Sequence, residues 1–101
     1  MNSLNDIILE GQIDNDPYIL EEKKVIRFTV KTERFYLTEE GERSTETSRF
    51  FCEGYRPFTD AKFVKLLKKD RNIRIVGRLK QYTDCEVPYV VIVCEHLEFR
   101  R

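Results

Sequence analysis

Residues 73–84 read IRIVGRLKQYTD, and their alternation decides the fold. One side of the period-two pattern carries Ile73, Ile75, Gly77 and Leu79, and the other carries Arg74, Val76, Arg78 and Lys80. Such alternation predicts a half-buried strand with one apolar and one largely basic face. Gly77 indicates a bend or bulge, as where a strand curls around a barrel. Tyr82 then puts an aromatic ring at the end of the basic row.

Four other stretches also have the pattern of strands. Residues 5–13, 25–32 and 47–55 alternate, while residues 89–94 (YVVIVC) are almost wholly apolar and predict a strand buried on both faces. Turn formers at 14–17 end the first strand, residues 18–24 are a linker, and residues 39–42 make the tip of a long hairpin. Residues 60–69 predict an amphipathic helix with Thr59 as its N-cap.

The order of these elements predicts one all-β domain over residues 1–101. Five strands with one helix between the third and fourth are typical of the OB-fold, a small Greek-key barrel that binds oligonucleotides on its second and third strands. An α+β sandwich with the same element order is the alternative. The glycines at bends in the first and fourth strands, Gly11 and Gly77, favour the barrel.

The composition limits the classes of function. Since 18 basic and 18 acidic side chains give a net charge of zero, a nucleic-acid partner must be argued from how the charge is distributed. No apolar run approaches the roughly 18 residues needed to cross a bilayer. The N-terminus lacks the pattern of a secretory signal, and three widely spaced cysteines predict no disulfide framework. We therefore expect a cytoplasmic, nucleoid-associated protein with no membrane partner.

The sequence predicts neither a metal centre nor a catalytic site. Cys94 and His96 could put two ligands on one strand face, but no CxxC pair completes a zinc site. Cys52 and Cys94 fit buried apolar positions, and nothing marks a cysteine as an activated nucleophile. The four glycines stand too far apart for a phosphate-binding loop. We expect no enzyme, no cofactor and no small-molecule substrate.

A mixture of aromatic rings and cations remains, and it points to single-stranded nucleic acid. Cations track the phosphates, and flat rings stack unpaired bases whatever their identity. Phe51 is informative because Phe50 and Cys52 already supply the inward side of its strand, which puts Phe51 outward as a stacking platform or an interface residue. The predicted face comprises Arg27, Lys31, Arg49, Phe51, Tyr55, Arg74, Arg78 and Lys80, with Phe35, Tyr36 and Tyr82 on adjoining loops. Arg34, next to Phe35, is a further predicted binding residue.

Over most of its length the chain resembles the bacterial single-stranded DNA-binding proteins. Residues 5–11 (NDIILEG) and the Asp16-Pro17 turn are similar to the opening strand of that family and its turn, and residues 28–30 (FTV) to its second strand. Residues 66–69 (LLKK) and 73–79 (IRIVGRL) resemble its helix end and the strand that follows. Residues 82–84 (YTD) fall where the family usually has Trp-Thr-Asp.

The resemblance implies an OB-fold that binds single-stranded DNA without sequence preference in replication, recombination and repair, commonly as a homotetramer. It assigns base stacking to Tyr36 or its neighbour Phe35, to Tyr55 and to Tyr82. It puts Phe51 and Lys69 where the family often has cations near the phosphates.

The chain also departs from the family. Arg49 lies where a stacking tryptophan is usual, and the chain has no tryptophan at all. Glu53 and the acidic hairpin tip predict added repulsion and a weaker affinity for DNA. The disordered linker and acidic tip of the family have no counterpart before Arg101.

Two other functions remain open. The dimeric primosomal replication protein N is a tailless relative of similar length that also binds single strands, so a dimer is an alternative to the tetramer. An OB barrel whose outward aromatics form a subunit interface or dock a protein is the second alternative, supported by the zero net charge, Phe51 and the acidic loop.

Overall fold

Six strands and one short helix make up the part of the chain that the computed structural model describes, residues 2–20, 22 and 24–100. They are β1 (Ile7–Ile13), β2 (Tyr18–Leu20), β3 (Val25–Leu37), β4 (Arg43–Gly54), α1 (Ala61–Leu66), β5 (Asn72–Asp84) and β6 (Val87–Arg100). The five strands predicted from the sequence are β1, β3, β4, β5 and β6. Within these described residues, the one helix has six residues, too few to cross a bilayer.

The five long strands close into a barrel. β1, β5, β6, β4 and β3 are hydrogen-bonded in that order, and β3 pairs back onto β1 through Gln12 with Lys31 and Ile13 with Val30. The neighbours are antiparallel except β4 and β6, which are parallel. Beyond the barrel, β3 and β4 continue as a two-stranded ribbon to the hairpin tip at residues 38–42. A closed five-stranded barrel with a helix between β4 and β5 confirms the predicted OB-fold.

The alternation read from the sequence separates the core from the outer surface. Ile26, Phe28 and Val30 of β3 point inward and are almost fully buried, whereas Arg27 and Thr29 between them point outward. The buried cluster also takes residues from every other long strand and from either side of the helix, namely Ile13, Cys52, Phe58, Leu67, Ile73, Ile75, Ile92, Cys94 and Leu97.

Gly77 marks an irregularity in β5, as its position predicts. The register between β5 and β6 shifts between Val76 and Gly77. A Cβ atom at Gly77 would lie 2.0 Å from the carbonyl oxygen of Val93, so the two strands approach more closely there than any side chain allows. The bulge lets the apolar half of β5 face the core while its second half runs outward past the barrel.

The structure differs from three local predictions. The predicted linker contains β2, whose three residues pair with β3 as Tyr18 with Arg27, Ile19 with Ile26 and Leu20 with Val25. Such a short strand has no period of its own to read and exists because β3 offers it an edge.

The helix is also shorter than predicted, running from Ala61 to Leu66 with Asp60, rather than Thr59, at the N-cap. The chain leaves the helix at Leu67, whose fully buried side chain joins the core. Lys68 and Lys69 therefore lie beyond the helix.

Phe50 also differs from its expected place inside the core. It keeps 37% of its surface exposed, because β4 pairs with β6 only from Cys52 onward and Phe50 lies where the ribbon leaves the barrel.

Candidate nucleic-acid interface

The outer face of β3 and β4 brings several predicted residues together. Antiparallel register puts three pairs side by side on this face, which we call the outer face: Arg27 with Glu53, Thr29 with Phe51, and Lys31 with Arg49. Phe51 is 63% exposed, which confirms its outward direction. A ring flanked by cations from both strands is the arrangement that a single strand of nucleic acid needs.

Glu53 is buried at one end of this face instead of facing solvent. Its side chain is 0% exposed, and its Oε1 accepts hydrogen bonds from the hydroxyl of Tyr55 at 2.9 Å and from that of Tyr82 at 2.6 Å. Its Oε2 lies 3.6 Å from Nη2 of Arg27. The predicted repulsion of DNA by Glu53 is therefore reduced, because two hydroxyls and a guanidinium surround the carboxylate.

Tyr55 and Tyr82 contact Glu53, Tyr89 stacks on Tyr82, and we call these three residues the tyrosine cluster. The rings of Tyr82 and Tyr89 stack with centroids 5.6 Å apart and planes inclined by 23°. Nζ of Lys80 lies 4.7 Å from the Tyr82 centroid and 6.0 Å from the Tyr55 centroid. The hydroxyl of Tyr82, burial and the Glu53 carboxylate raise the pKa of Tyr55 to about 12, so its phenol stays neutral at physiological pH.

Several of the predicted phosphate-binding cations already have acidic neighbours. Nε of Arg49 donates to Oδ2 of Asp14 at 3.0 Å, and Nζ of Lys31 lies 3.7 Å from Oε1 of Glu33. Both pairs are partly exposed, and solvent-accessible ion pairs contribute roughly 0–1 kcal/mol to stability. A phosphate can therefore exchange with the carboxylate at a small energetic cost.

Strand alternation separates the predicted aromatics of the ribbon. Phe35 shares the outer face with Lys31 and Arg49 and is 75% exposed, while Arg34 and Tyr36 lie on the opposite face. Phe35, Tyr36 and Tyr82 were predicted on loops, but they lie within β3 and β5, because both strands run several residues past the barrel.

The remaining predicted cations are spread around the barrel. Nε of Arg74 lies 3.7 Å from Oε1 of Glu10 on β1, in a charged group with Glu98 and Arg100. Arg78 is exposed and lies opposite Val93 of β6. Lys69 follows the helix, where its backbone N–H donates to Oδ1 of Asp16 in the loop after β1.

The sequence reading missed Tyr89 as a member of the interface, although a signal for it exists. Cys85 and Glu86 both have positive φ, 48° and 67°, and form the two-residue turn between β5 and β6. Counting outward from that turn pairs Tyr82 with Tyr89 directly. The turn was missed because Cys and Glu rarely occupy the positive-φ positions of a two-residue turn.

Burial makes both core thiols unreactive. Cys52 and Cys94 are buried, and burial raises the pKa of each, that of Cys94 to about 12, so neither forms a thiolate readily. His96 is exposed on β6, where its Nε2 lies 3.3 Å from Oε1 of Glu98. Across residues 2–20, 22 and 24–100, no three His, Cys, Asp or Glu side chains are grouped so as to hold a metal ion.

The chain is similar to known proteins in both sequence profile and fold. A sequence profile of the "Single-strand binding protein family" matches residues 4–96 and confirms the resemblance predicted from the residues. No curated protein matches the chain in sequence.

Among solved structures, the chain is similar to a Plasmodium falciparum SSB in complex with ssDNA, with 24% identity, a TM-score of 0.80, and coverage of 100% of this chain and 98% of that one. It is also similar to a small single-stranded DNA-binding protein from Streptomyces coelicolor, with 19% identity, a TM-score of 0.75, and coverage of 99% and 95%. Another from Mycoplasma pneumoniae has 23% identity, a TM-score of 0.74, and coverage of 95% and 93%. At these identities the likeness concerns the fold.

Proposed function

The chain belongs to the single-strand binding protein family, and from that membership we propose that the outer face and the tyrosine cluster bind single-stranded DNA. The binding is tolerant of sequence, because rings stack on any base and cations contact any phosphate. The protein acts by binding, without a catalytic step. Its substrate is the single-stranded DNA that replication, recombination and repair expose in the bacterial cytoplasm, at the nucleoid.

The single observation that carries this proposal is the convergence of rings and cations from separate strands. Phe51 comes from β4, Tyr55 directly follows its last residue, Lys80 and Tyr82 come from β5, and Tyr89 comes from β6. Each stacked base contributes roughly 1–3 kcal/mol, so two or three engaged rings supply a large part of a useful affinity. Lys31 and Arg49 flank Phe51 and would guide the phosphates across the face.

A titration with fluorescently labelled oligo-dT at about 50 mM and about 200 mM salt tests the proposal. If three cations of the face meet phosphates, the affinity should fall by roughly 20-fold between these conditions. Lys80→Ala should weaken binding and flatten the salt dependence, whereas Lys62→Ala, an exposed lysine on α1, should change neither. An absence of binding at the lower salt would overturn the proposal, as would an affinity indifferent to salt.

We also propose that the protein works as a homo-oligomer, with a tetramer favoured over a dimer. Residues 7–11 of β1 pair with β5 on one edge, and among the described residues no strand pairs with them on the other. Ile8 is 64% exposed and Leu4 is 89% exposed beside that edge, which supports an interface between copies. A light-scattering mass of four chains would support the tetramer, a mass of two chains the dimer, and a monomeric mass would overturn both.

A further inference from the structure

A cleft next to the tyrosine cluster shares residues with the site described above and adds Tyr18, which has no role there. It has a volume of about 360 Å³, and Arg27 and Phe51 of the outer face contribute to its lining. Tyr18 of β2 and Tyr89 of β6 also line it, and in the sheet order β6-β4-β3-β2 their strands lie on opposite sides of β3 and β4. Four rings line it, and three of them are accessible, since Tyr18 is 53%, Phe51 63% and Tyr89 38% exposed, whereas Phe28 is buried.

The chemistry of the cleft fits a flat molecule with apolar faces and a polar edge. Its lining is mostly apolar, and its accessible rings come from β2, β4 and β6, where they can contact the faces of an aromatic ligand. Arg27 also lines it, and its side chain is 31% exposed. Its guanidinium can donate to an oxygen or nitrogen acceptor on the edge of a ligand.

The position of the cleft indicates that its flat ligand belongs to a strand bound on the outer face. Phe51 and Arg27 belong both to the cleft and to the outer face, so a strand crossing that face must pass over the opening. Lys31 and Arg49 lie next to it, one alternation further along their strands, where they can hold the phosphates on either side of one nucleotide.

We propose that this cleft is a nucleobase site, in which Tyr18 and Tyr89 enclose one base of the bound strand and the guanidinium of Arg27 donates to an acceptor on its edge. The inference rests on the proposed function, adds Tyr18 to the binding residues and assigns Tyr89 of the tyrosine cluster to the same base. In this proposal β2 positions Tyr18, because its pairing with β3 holds Tyr18 directly beside Arg27.

The test compares two variants of the same short strand on two ligands. Tyr18→Ala removes a wall of the cleft, whereas Ile19→Ala alters the neighbouring residue of β2 that points to the other side and is 39% exposed. Each is titrated with oligo-dT and with an oligomer of equal length made of abasic nucleotides, which has the phosphates but no bases. Circular dichroism verifies that both variants are folded.

We expect Tyr18→Ala to bind oligo-dT at least about five-fold more weakly than the wild type, the lower end of what one stacked base contributes. Its affinity for the abasic oligomer should stay within about two-fold of the wild-type value, because phosphate contacts are retained. Ile19→Ala should bind both ligands like the wild type.

Three outcomes would overturn the inference while leaving the proposed function intact. In the first, Tyr18→Ala and Ile19→Ala weaken the binding of oligo-dT equally, which would mean that Tyr18 only stabilises β2. In the second, Tyr18→Ala loses affinity equally for oligo-dT and for the abasic oligomer, which would mean that the ring contacts the sugar-phosphate backbone of the DNA. The third is unchanged binding by Tyr18→Ala, which would leave the cleft to an aromatic side chain of a protein partner. Failure of the wild type to bind oligo-dT at low salt would instead defeat the proposed function itself.

Discussion

Replacing Glu53 with alanine should destabilise the fold and weaken DNA binding together. Oε1 of Glu53 accepts from Tyr55 and Tyr82, and hydrogen bonds to a charged group contribute about 1.5–3 kcal/mol each. Tyr55 is 37% exposed and can regain a hydrogen bond from water, so we count both bonds near the lower value, for a total of about 3 kcal/mol. Arg27 is 31% exposed in its side chain and adds little when left unpaired.

Urea unfolding followed by circular dichroism at neutral pH measures this loss. For a chain of this length, about 3 kcal/mol lowers the Tm by roughly 12 °C. Glu46→Ala is the matched control, because it removes an exposed carboxylate from the same strand and should change the free energy of unfolding by less than about 0.5 kcal/mol. If Glu53→Ala falls within that same range, the hydrogen-bond reasoning is wrong.

The DNA affinity of the two variants separates ring orientation from charge. Electrostatics alone predicts tighter binding for both, since each loses one negative charge. We expect Glu53→Ala to bind oligo-dT about five-fold more weakly, because the rings of Tyr55 and Tyr82 lose the acceptor that fixes them before a base arrives. Glu46→Ala should bind as well as the wild type or better. Tighter binding by Glu53→Ala would refute the idea that this carboxylate positions the rings.

Three further predictions concern other parts of the molecule. Asp14→Asn should raise the affinity for oligo-dT at low salt and steepen the salt dependence by about 0.7, because it releases Arg49 for a phosphate; an unchanged salt slope would contradict this. Gly77→Ala should lower the free energy of unfolding, measured in urea, by at least about 3 kcal/mol, because its Cβ would meet the Val93 carbonyl. Gly41→Ala, at φ 79° in open space, should lower it by about 1 kcal/mol. Equal losses for the two variants would contradict the steric argument. The free energy of unfolding should not depend on the ionisation of Tyr55 below pH 10 and should fall between about pH 10 and pH 12, because the pKa of this phenol is about 12 in the folded protein and about 10 in the unfolded chain. Tyr55→Phe should lack this part of the fall. If the wild type and Tyr55→Phe give the same curve, the raised pKa of Tyr55 is wrong.

The strands of the barrel could be predicted because each carries its own pattern. Ile26, Phe28 and Val30 alternate with polar residues, and the contrast between the two faces is local information. The same holds for Phe51, whose outward direction follows from its immediate neighbours. Gly77 was predicted as a bend from its place in an otherwise regular strand, and the register shift occurs there.

The centre of the interface could not be predicted because its contacts join residues far apart in the chain. Glu53 alone in an outward position is expected to be solvated, and its burial requires Arg27 from β3 and Tyr82 from β5 to reach it. Tyr18 carries no pattern, since β2 has three residues and is positioned by β3. In both cases the determinant is which strands become neighbours, and the pattern of a single segment does not contain it.

The closure of the barrel has a consequence for when the protein becomes active during its own synthesis. β1 pairs with β5 as Ile7 with Gly77, and β4 pairs with β6 as Cys52 with Ile92, so the ring of strands depends on pairings between distant segments. Such nonlocal pairings form slowly, on the scale of milliseconds to seconds. Tyr55 follows β4, Tyr82 lies on β5 and Tyr89 lies on β6, so the ribosome synthesises the three rings in that order. A nascent chain therefore has no complete binding surface until β6 has emerged and docked against β5 and β4.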